Sequence, residues 1–206
     1  MSEKGKLIMF EGGEGCGKTT QISLFEEWLR EKGYNPLTAR EPGATSAGEA
    51  IRRILLSPET ELHDPLAELL LFEAARADIY AGLIIPARNA GRIILQDRGR
   101  YASEAYQGYG RGMDLNYIRT LNEKVTFGMR PDLAILIDLD PEVGLKNAGA
   151  DRFESEAIEF HQRVCKGYRE IAELNSDIFF VLPYAHGDID GMQDRIRYEA
   201  KQRLSL

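Results

Sequence analysis

Long apolar runs and paired cysteines are both missing from this 206-residue chain. No apolar run approaches the roughly 18 residues that a membrane-spanning helix needs, and the apolar stretch behind the first residues is too short for a secretory signal. The two cysteines, Cys16 and Cys165, lack the spacing of a zinc site and do not indicate a disulfide scaffold. We therefore expect a cytoplasmic protein.

The chain also has fewer basic residues than acidic residues. The chain carries 26 Lys and Arg residues against 33 Asp and Glu residues, a formal net charge of −7. General nucleic-acid binding usually needs a basic face, so we expect neither a nucleic acid nor a membrane as a partner. Such a chain can still bind small anions if its basic residues are concentrated in one cleft.

Internal repeats, low-complexity tracts and linkers are absent, and strand and helix patterns alternate. Four continuous apolar segments are typical of strands buried on both faces. They cover residues 7–10, 92–96, 133–137 and 178–182, and a weaker strand covers 35–39. Helical patterns cover 18–32, 46–56, 65–90, 115–127, 141–147, 154–175 and 189–203. The alternation predicts one α/β domain over residues 1–206, with a five-stranded parallel sheet between helices and ligands at the carboxyl ends of the strands.

The strongest local pattern is a glycine-rich loop between the first strand and the first helix. Residues Gly12-Gly13-Glu14-Gly15-Cys16-Gly17-Lys18-Thr19 fit G-x-x-x-x-G-K-[ST], and Thr20 follows them. The glycines let backbone N–H groups surround a phosphate chain at the positive end of the helix dipole. Lys18 can reach the β- and γ-phosphates of a nucleoside triphosphate, and Thr19 can offer its hydroxyl to Mg²⁺. This phosphate loop predicts binding of a nucleoside triphosphate, with Cys16 as a small loop residue.

The sequence lacks the markers of two other classes of phosphate-loop protein, the GTPases and the nucleic-acid motors. No guanine-reading Asn-Lys-x-Asp occurs, and the single D-x-x-G pattern, at residues 188–191, lies far from where a GTPase switch would follow the third strand. A nucleic-acid motor would usually be larger and carry a basic track. A small-molecule kinase remains, and it needs a second anion site.

Candidate acceptor residues lie at or after the predicted strand ends. The segment 40–43 (Arg-Glu-Pro-Gly) closes the second strand, Asp97 and Arg98 close the third, and the segment 106–108 (Tyr-Gln-Gly) follows after a short connection. Phe72 and Arg76 are four residues apart and share a helical face. Each feature also has an ordinary structural interpretation, which is core packing for the aromatic residues and ion pairing for the charged ones.

In order and spacing, these segments together resemble the thymidylate kinase family. The resemblance runs over residues 7–168 and combines Phe-Glu-Gly-Gly-Glu-Gly-Cys-Gly-Lys-Thr-Thr-Gln (10–21), Arg-Glu-Pro-Gly (40–43), Phe-x-x-x-Arg (72–76), Asp-Arg (97–98) and Ala-Tyr-Gln-Gly (105–108). Arg-Pro-Asp-Leu (130–133), Pro-Glu-Val-Gly-Leu (141–145) and Asp-Arg-Phe-Glu (151–154) extend it. Many families share the phosphate loop, whereas the Arg-Glu-Pro-Gly and Ala-Tyr-Gln-Gly elements are much more specific.

The resemblance implies a three-layer P-loop kinase fold with a short lid, at about residues 146–153. It implies a homodimer that uses ATP and Mg²⁺ to phosphorylate dTMP to dTDP in dTTP synthesis. It places the thymine ring on Phe72, a thymine carbonyl at Arg76 and the deoxyribose over Tyr106. Ser103 and Gln107 are implied near the base.

The resemblance also implies residues for the phosphates and the metal ion. Those implied at the acceptor phosphate and sugar are Arg98, Arg40, Arg52, Glu11 and Pro42. Mg²⁺ is implied at Thr19 and Asp97, with Asp138 as a competitor for the carboxylate role. ATP is implied along the phosphate loop and at Thr20.

The lid has less positive charge than the family pattern leads one to expect. Family members carry lid arginines, or an arginine within the phosphate loop. This chain has Gly15 in the loop, and Lys146 and Arg152 are the basic residues of the lid. We predict that Lys18, Arg98 and Arg152 are the catalytic cations, with Arg152 acting on the transferring phosphoryl group because arginine offers a forked donor.

Three alternatives stay open at this stage. Arg152 can instead pair with Asp151 or Glu154 as a structural hinge. The chain can be a deoxynucleoside kinase, whose neutral hydroxyl acceptor needs a carboxylate base such as Glu11 or Asp97. It can also be a nucleotide-binding switch that hydrolyses ATP only slowly.

Overall fold

A computed structural model describes residues 5–147, 149 and 151–206 of the chain. Within these residues the strands are β1 (Leu7–Gly12), β2 (Leu37–Arg40), β3 (Ile94–Asp97), β4 (Leu133–Asp138) and β5 (Phe179–Pro183). They form one parallel sheet in the order β2-β3-β1-β4-β5. The predicted five-stranded parallel α/β fold is therefore confirmed.

Helices cover both faces of this sheet. They are α1 (Lys18–Glu31), α2 (Ser46–Leu56), α3 (Pro65–Ile79), α4 (Ile85–Asn89), α5 (Arg100–Ser103), α6 (Leu115–Val125), α7 (Pro141–Gly144), α8 (Ile158–Leu174) and α9 (Ile189–Leu204). Tyr80–Ile84 and Glu104–Gly110 are π-helical, and Leu145–Asn147 forms a 3₁₀ turn. In the described part of the chain, no helix has both the length and the apolar character to cross a bilayer.

Side chains of β1 alternate between the two faces of the sheet, and this alternation produces the three layers. Ile8 and Phe10 pack with Phe25 of α1 on one face, in a core that also includes apolar residues of α9. Met9 packs on the other face in a core with Tyr168 of α8. Each fully buried apolar side chain of this size contributes about 1.5–3 kcal/mol to stability.

Two helical regions differ from the sequence prediction. The pattern over residues 65–90 predicts one helix, but a π-helical segment interrupts it ahead of Pro86. Proline lacks a backbone N–H, and its ring crowds the carbonyl group four residues earlier, which is that of Gly82. The wider turn of a π-helix accommodates both effects. Residues 100–110 are helical, whereas the sequence predicts only a short connection, because Gly108 and Gly110 are poor helix formers.

The strand registers bring three neighbouring strand ends to one edge of the sheet. Asp97 of β3 lies opposite Phe10 of β1 on one side and opposite Arg40 of β2 on the other. The residues that follow each of these strands therefore emerge together. They are the phosphate loop after β1, the Arg-Glu-Pro-Gly segment after β2 and Arg98 after β3.

Candidate active site

The phosphate loop, residues 12–19, joins β1 to α1. Gly12, Gly15 and Gly17 have φ angles of 148°, 62° and 83°, in the region that favours glycine. The Lys18 ammonium group donates to the carbonyl oxygens of Gly12 at 3.2 Å and Gly13 at 2.9 Å. The loop is thus curled around its own lysine at the amino end of a 14-residue helix, where an anion is favoured.

The phosphate loop packs closely against the turn that precedes the lid. A Cβ atom added at Gly15 would collide with the carbonyl oxygen of Gly144 and would lie 3.2 Å from the Cβ of Asn147. A Cβ atom added at Gly144 would collide with the carbonyl oxygen of Glu14. The two segments therefore meet backbone to backbone, and both contact positions require glycine.

A cavity of about 400 Å³, the phosphate-loop cavity, opens beside the loop. It is lined by loop residues 14–19 and by Arg40, Glu41, Arg52, Asp97, Arg98 and Asn147. The Thr19 hydroxyl donates to Asp97 Oδ2 at 3.5 Å. These oxygen groups fit Mg²⁺, which binds through one or two carboxylates and keeps phosphate and water ligands. Asp138, the competitor, accepts two hydrogen bonds from Arg169.

A second cavity, of about 200 Å³, has aromatic walls formed by Phe72, Tyr106 and Phe153. The Phe153 ring centroid lies 5.7 Å from that of Phe72 and 5.8 Å from that of Tyr106. The polar residues that line this aromatic cavity are Glu14, Glu41, Arg52, Arg98, Ser103, Gln107, Asp151 and Glu154. Such a slot suits a flat ring with polar edges.

The two cavities share four lining residues, which are Glu14, Glu41, Arg52 and Arg98. We call this group the junction. These four side chains border both cavities. The junction is therefore where the chemistry of two bound ligands would meet.

Arg98 is fixed within the junction by several contacts. Its guanidinium donates to the Gly12 carbonyl and to Glu14 Oε1, both at 2.8 Å, and lies 5.0 Å from the Tyr106 ring centroid. The Tyr106 hydroxyl donates to the same Glu14 oxygen. Burial acts to raise the pKa of Glu14, but the charges of Arg98 and Lys18 lower it to about 2. Glu14 is therefore an ionised carboxylate that neutralises Arg98.

Glu11 lies behind Arg98. Among the described residues it lines neither cavity, and its carboxyl group accepts hydrogen bonds from the Gly99 N–H at 3.0 Å and the Tyr168 hydroxyl at 2.8 Å. Burial is the largest influence and raises the pKa of Glu11 to about 7, against the lowering effect of Arg98. Tyr168, which the sequence did not single out, also accepts from Arg98 at 3.3 Å.

Arg76 is buried behind the aromatic cavity, with 1% of its surface exposed. It donates to Glu41 at 2.7 Å, Glu73 at 2.6 Å, Asn122 at 2.8 Å, Ser103 at 3.0 Å and the Gly99 carbonyl at 3.0 Å. These contacts favour the ion-pairing interpretation. The contact between Arg76 and a base stays a prediction.

Arg152 is bonded to α2 and α3. Its guanidinium donates to Glu68 at 2.7 Å and to the Leu55 carbonyl at 2.8 Å, and it lies 4.5 Å from the Phe153 ring centroid. Among the described residues, Arg152 lines neither the phosphate-loop cavity nor the aromatic cavity. Its predicted role on the transferring phosphoryl group therefore stays a prediction, and it requires Arg152 to leave Glu68.

The alternative partners for Arg152 were wrong. Asp151 accepts from backbone N–H groups of residues 153 and 154, and Glu154 accepts from those of 149 and 151. Glu68 takes the pairing role instead and also accepts from Gln107 at 2.8 Å and Arg111 at 3.2 Å. Part of the predicted lid, Ala148 and Ala150, lies outside the described residues.

The other predicted residues lie at the edges of these cavities. The exposed Arg40 side chain is held by both oxygens of Glu49, at 3.0 and 3.1 Å. Arg52 donates to the Pro42 carbonyl at 3.0 Å. Thr20 lines a separate cavity of about 170 Å³, together with Cys16, Gly17, Gln21, Tyr184, Ala185, Gly187, Ile189 and Met192.

Sequence reasoning missed several residues that line the cavities. Phe153 lies beside the predicted Arg152, and Asn147 lies within the predicted lid, so their position in the motif was the available signal. Leu56 and Ala102 also line the aromatic cavity, but their apolar character made them look like ordinary core residues. The buried partners of Arg76 had no distinguishing sequence signal.

A phosphate loop whose cavity shares lining residues with a neighbouring cavity is the arrangement of a phosphate-loop kinase, which brings donor and acceptor phosphates together. Comparisons with known proteins specify the family. The thymidylate kinase family model matches residues 10–196. A thymidylate kinase of Thermoanaerobacter sp. (strain X514) is 42% identical over 197 residues, covering 94% of this chain and 93% of that protein.

Two further comparisons agree. A thymidylate kinase of Synechococcus sp. (strain JA-2-3B'a(2-13)) is 49% identical over 167 residues, covering 81% of this chain and 80% of that protein. The crystal structure of thymidylate kinase from Ehrlichia chaffeensis superposes with a TM-score of 0.81 at 32% identity, covering 95% of this chain and 98% of that one. The chain belongs to the thymidylate kinase family.

Proposed function

We propose that this chain transfers the γ-phosphate of ATP to dTMP, giving dTDP and ADP, in dTTP synthesis. The observation that carries the proposal is the junction, whose four residues line both the phosphate-loop cavity and a cavity with aromatic walls and polar lining residues. Family membership supports the same reaction. We also propose that the reaction takes place in the cytoplasm.

In this proposal the aromatic cavity holds the acceptor nucleoside. The thymine ring lies between Phe72 and Phe153, and Tyr106 contacts the deoxyribose. Ser103 and Gln107 face the polar edges of the base, and a contact between Arg76 and a thymine carbonyl requires the buried Arg76 to become accessible from the cavity. The adenosine part of ATP extends from the phosphate loop toward the cavity beside Thr20.

The chemistry needs little covalent help from the protein. The acceptor phosphate is already an anionic nucleophile at neutral pH, so no strong general base is required. Lys18 exchanges the loop carbonyls for the β- and γ-phosphates, and Arg98 binds the acceptor phosphate. Thr19 and Asp97 would hold Mg²⁺, which supplies charge neutralisation at the phosphate oxygens when bound. Arg40 lies at the rim of the phosphate-loop cavity.

We also propose that the chain acts as one unit and forms a homodimer. The aromatic cavity is lined by residues from α2, α3, the segment after α5 and the lid. This shared lining supports the proposal that the chain acts as one unit. Ile54, Leu70 and Tyr117 lie on α2, α3 and α6 and are 44%, 47% and 45% exposed. Apolar side chains exposed on neighbouring helices are typical of a subunit interface.

An acceptor screen tests the proposed reaction. ADP release and product formation would be measured with ATP and each of dTMP, dUMP, dCMP, dAMP, dGMP and thymidine. We expect dTMP to be the best acceptor and dUMP the next, because one methyl group is worth about 1–3 kcal/mol in an apolar pocket. A Lys18→Ala preparation purified in parallel controls for contaminating kinases. A preference for thymidine would indicate a nucleoside kinase, and ADP release independent of acceptor would indicate a nucleotide switch.

A further inference from the structure

Transfer of a phosphoryl group between two nucleotides brings two polyanions into contact, and positive charge at the meeting point stabilises the transition state. In this chain the meeting point is the junction of Glu14, Glu41, Arg52 and Arg98. Its two arginines are therefore the first candidates for the cation that acts on the transferring group.

The two arginines differ in how much of their charge is already neutralised. Arg98 forms an ion pair with Glu14 at 2.8 Å. Arg52 makes one hydrogen bond, to the neutral carbonyl of Pro42 at 3.0 Å, and has no carboxylate oxygen within 4 Å among the described residues. Burial and the neighbouring charge of Arg40 lower the pKa of Arg52, and the more distant carboxylates of Glu49, Asp151 and Asp97 offset this only in part. Arginine nevertheless stays charged at neutral pH.

Other nearby arginines are committed to carboxylates. Arg40 is held by Glu49 and Arg152 by Glu68, at 3.0 and 2.7 Å. The fourth member of the junction, Glu41, is engaged by Arg76. Within the described residues, Arg52 is thus the one junction or cavity-lining arginine without a carboxylate partner.

We propose that Arg52 is the catalytic arginine that bridges the γ-phosphate and the acceptor phosphate. The assignment rests on the proposed kinase reaction. An oxygen of the acceptor phosphate forms a bond to the γ-phosphorus, the bond from that phosphorus to the β–γ bridging oxygen breaks, and ADP leaves with the electron pair. Two N–H groups of one guanidinium can contact oxygens of both phosphates as negative charge builds up between them.

Single-turnover kinetics on Arg52→Ala and Arg52→Lys test the proposal. The rate of transfer from ATP to saturating dTMP would be measured together with the Kd for dTMP and the thermal midpoint. We expect Arg52→Ala to lower the transfer rate about 10²–10³-fold, as for loss of one preorganised donor, and to change the Kd far less. Arg52→Lys should recover little of the rate, because an ammonium lacks the fork.

Arg53→Ala is the matched control. Arg53 is the next residue of α2, and its exposed side chain makes no hydrogen bond or ion pair with the described residues. We expect near-normal transfer. Binding of ADP, dTMP and fluoroaluminate together, which imitates the transition state, should be lost in Arg52→Ala and retained in Arg53→Ala.

Two results would overturn the role of Arg52. One is an Arg52→Ala variant that binds dTMP weakly but transfers phosphate at the normal rate once saturated, since Arg52 would then be only an acceptor-binding residue. The other is full activity of Arg52→Lys, which decides the matter if the alanine variant does not fold. Failure of the proposed function looks different. The wild-type chain would then prefer another acceptor, and the same variants would be compared with that acceptor.

Discussion

Glu11 is a carboxyl group that the fold keeps away from water. Burial raises its pKa from 4.5 to about 7, so the folded state holds a proton that the unfolded state releases between these values. The contribution of Glu11 to stability is therefore present at low pH and is lost as pH rises through about 7. Glutamine does not titrate, so we expect the free energy of unfolding of Glu11→Gln to fall less than that of the wild type as pH rises. Urea unfolding of the nucleotide-free protein at about pH 5 and about pH 8 measures it. Equal pH dependence in both proteins would contradict the expectation.

Lys18 sits under the phosphate loop, where it donates to two loop carbonyls. Lys18→Ala removes the charge nearest to the predicted β- and γ-phosphates, so we expect turnover to fall roughly 10²–10³-fold while the circular dichroism spectrum is unchanged. Lys32→Ala, at an exposed position after α1, is the control. Near-normal turnover of Lys18→Ala would remove the argument for phosphate binding at this loop.

Residue positions that belong to a motif were easier to predict than those that support the motif. The structure gathers Phe72, Tyr106 and Arg98 around one cavity, as their placement in the sequence suggested. Glu73 and Asn122, which hold Arg76, were not predicted. A buried charged residue and an exposed one look the same in a single sequence, because burial depends on which helices pack together.

At the scale of elements, strands were predictable and their order was not. A strand covered on both faces reads as a continuous apolar run, and all six residues of β1 are buried. The placement of β1 between β3 and β4 depends on how the crossovers pack, which no local pattern encodes. The helical segment over 100–110 was missed because its glycines oppose helix formation, whereas packing against α8 stabilises it.

The lid is joined to α2 and α3 through Arg152. Loss of its bonds to Glu68 and the Leu55 carbonyl in Arg152→Ala should lower stability by about 1–3 kcal/mol. Because Phe153 is a wall of the aromatic cavity, we also expect a higher KM for dTMP. If Arg152 is instead the lid cation, kcat per folded molecule falls far more than stability does. Thermal unfolding and kinetics on the same preparation separate these outcomes, and Arg152→Lys should recover little in either case.

At the scale of the whole molecule, the exposed apolar residues on α2, α3 and α6 form the proposed interface between two copies of the chain. Leu70→Glu would place a charge at the centre of the proposed interface, so we expect it to convert a dimer into a monomer. Leu174→Glu, at an even more exposed apolar position on α8, is the control and should leave the dimer intact. Light scattering after size-exclusion chromatography measures both masses. A monomeric wild-type chain, or a Leu70→Glu variant that remains dimeric, would contradict the proposed interface.

The backbone contact between Gly15 and Gly144 also limits how this sequence can evolve. An arginine at position 15 would have to adopt a left-handed backbone conformation and displace the Gly144 carbonyl at the same time. A single substitution of Gly15 by arginine would therefore disrupt this backbone contact before the added positive charge could help the reaction. The turn at position 144 has to move first, which makes the effect of one substitution depend on the other. A lineage that begins from this chain can gain a cation more easily on α2 or in the lid than within the phosphate loop.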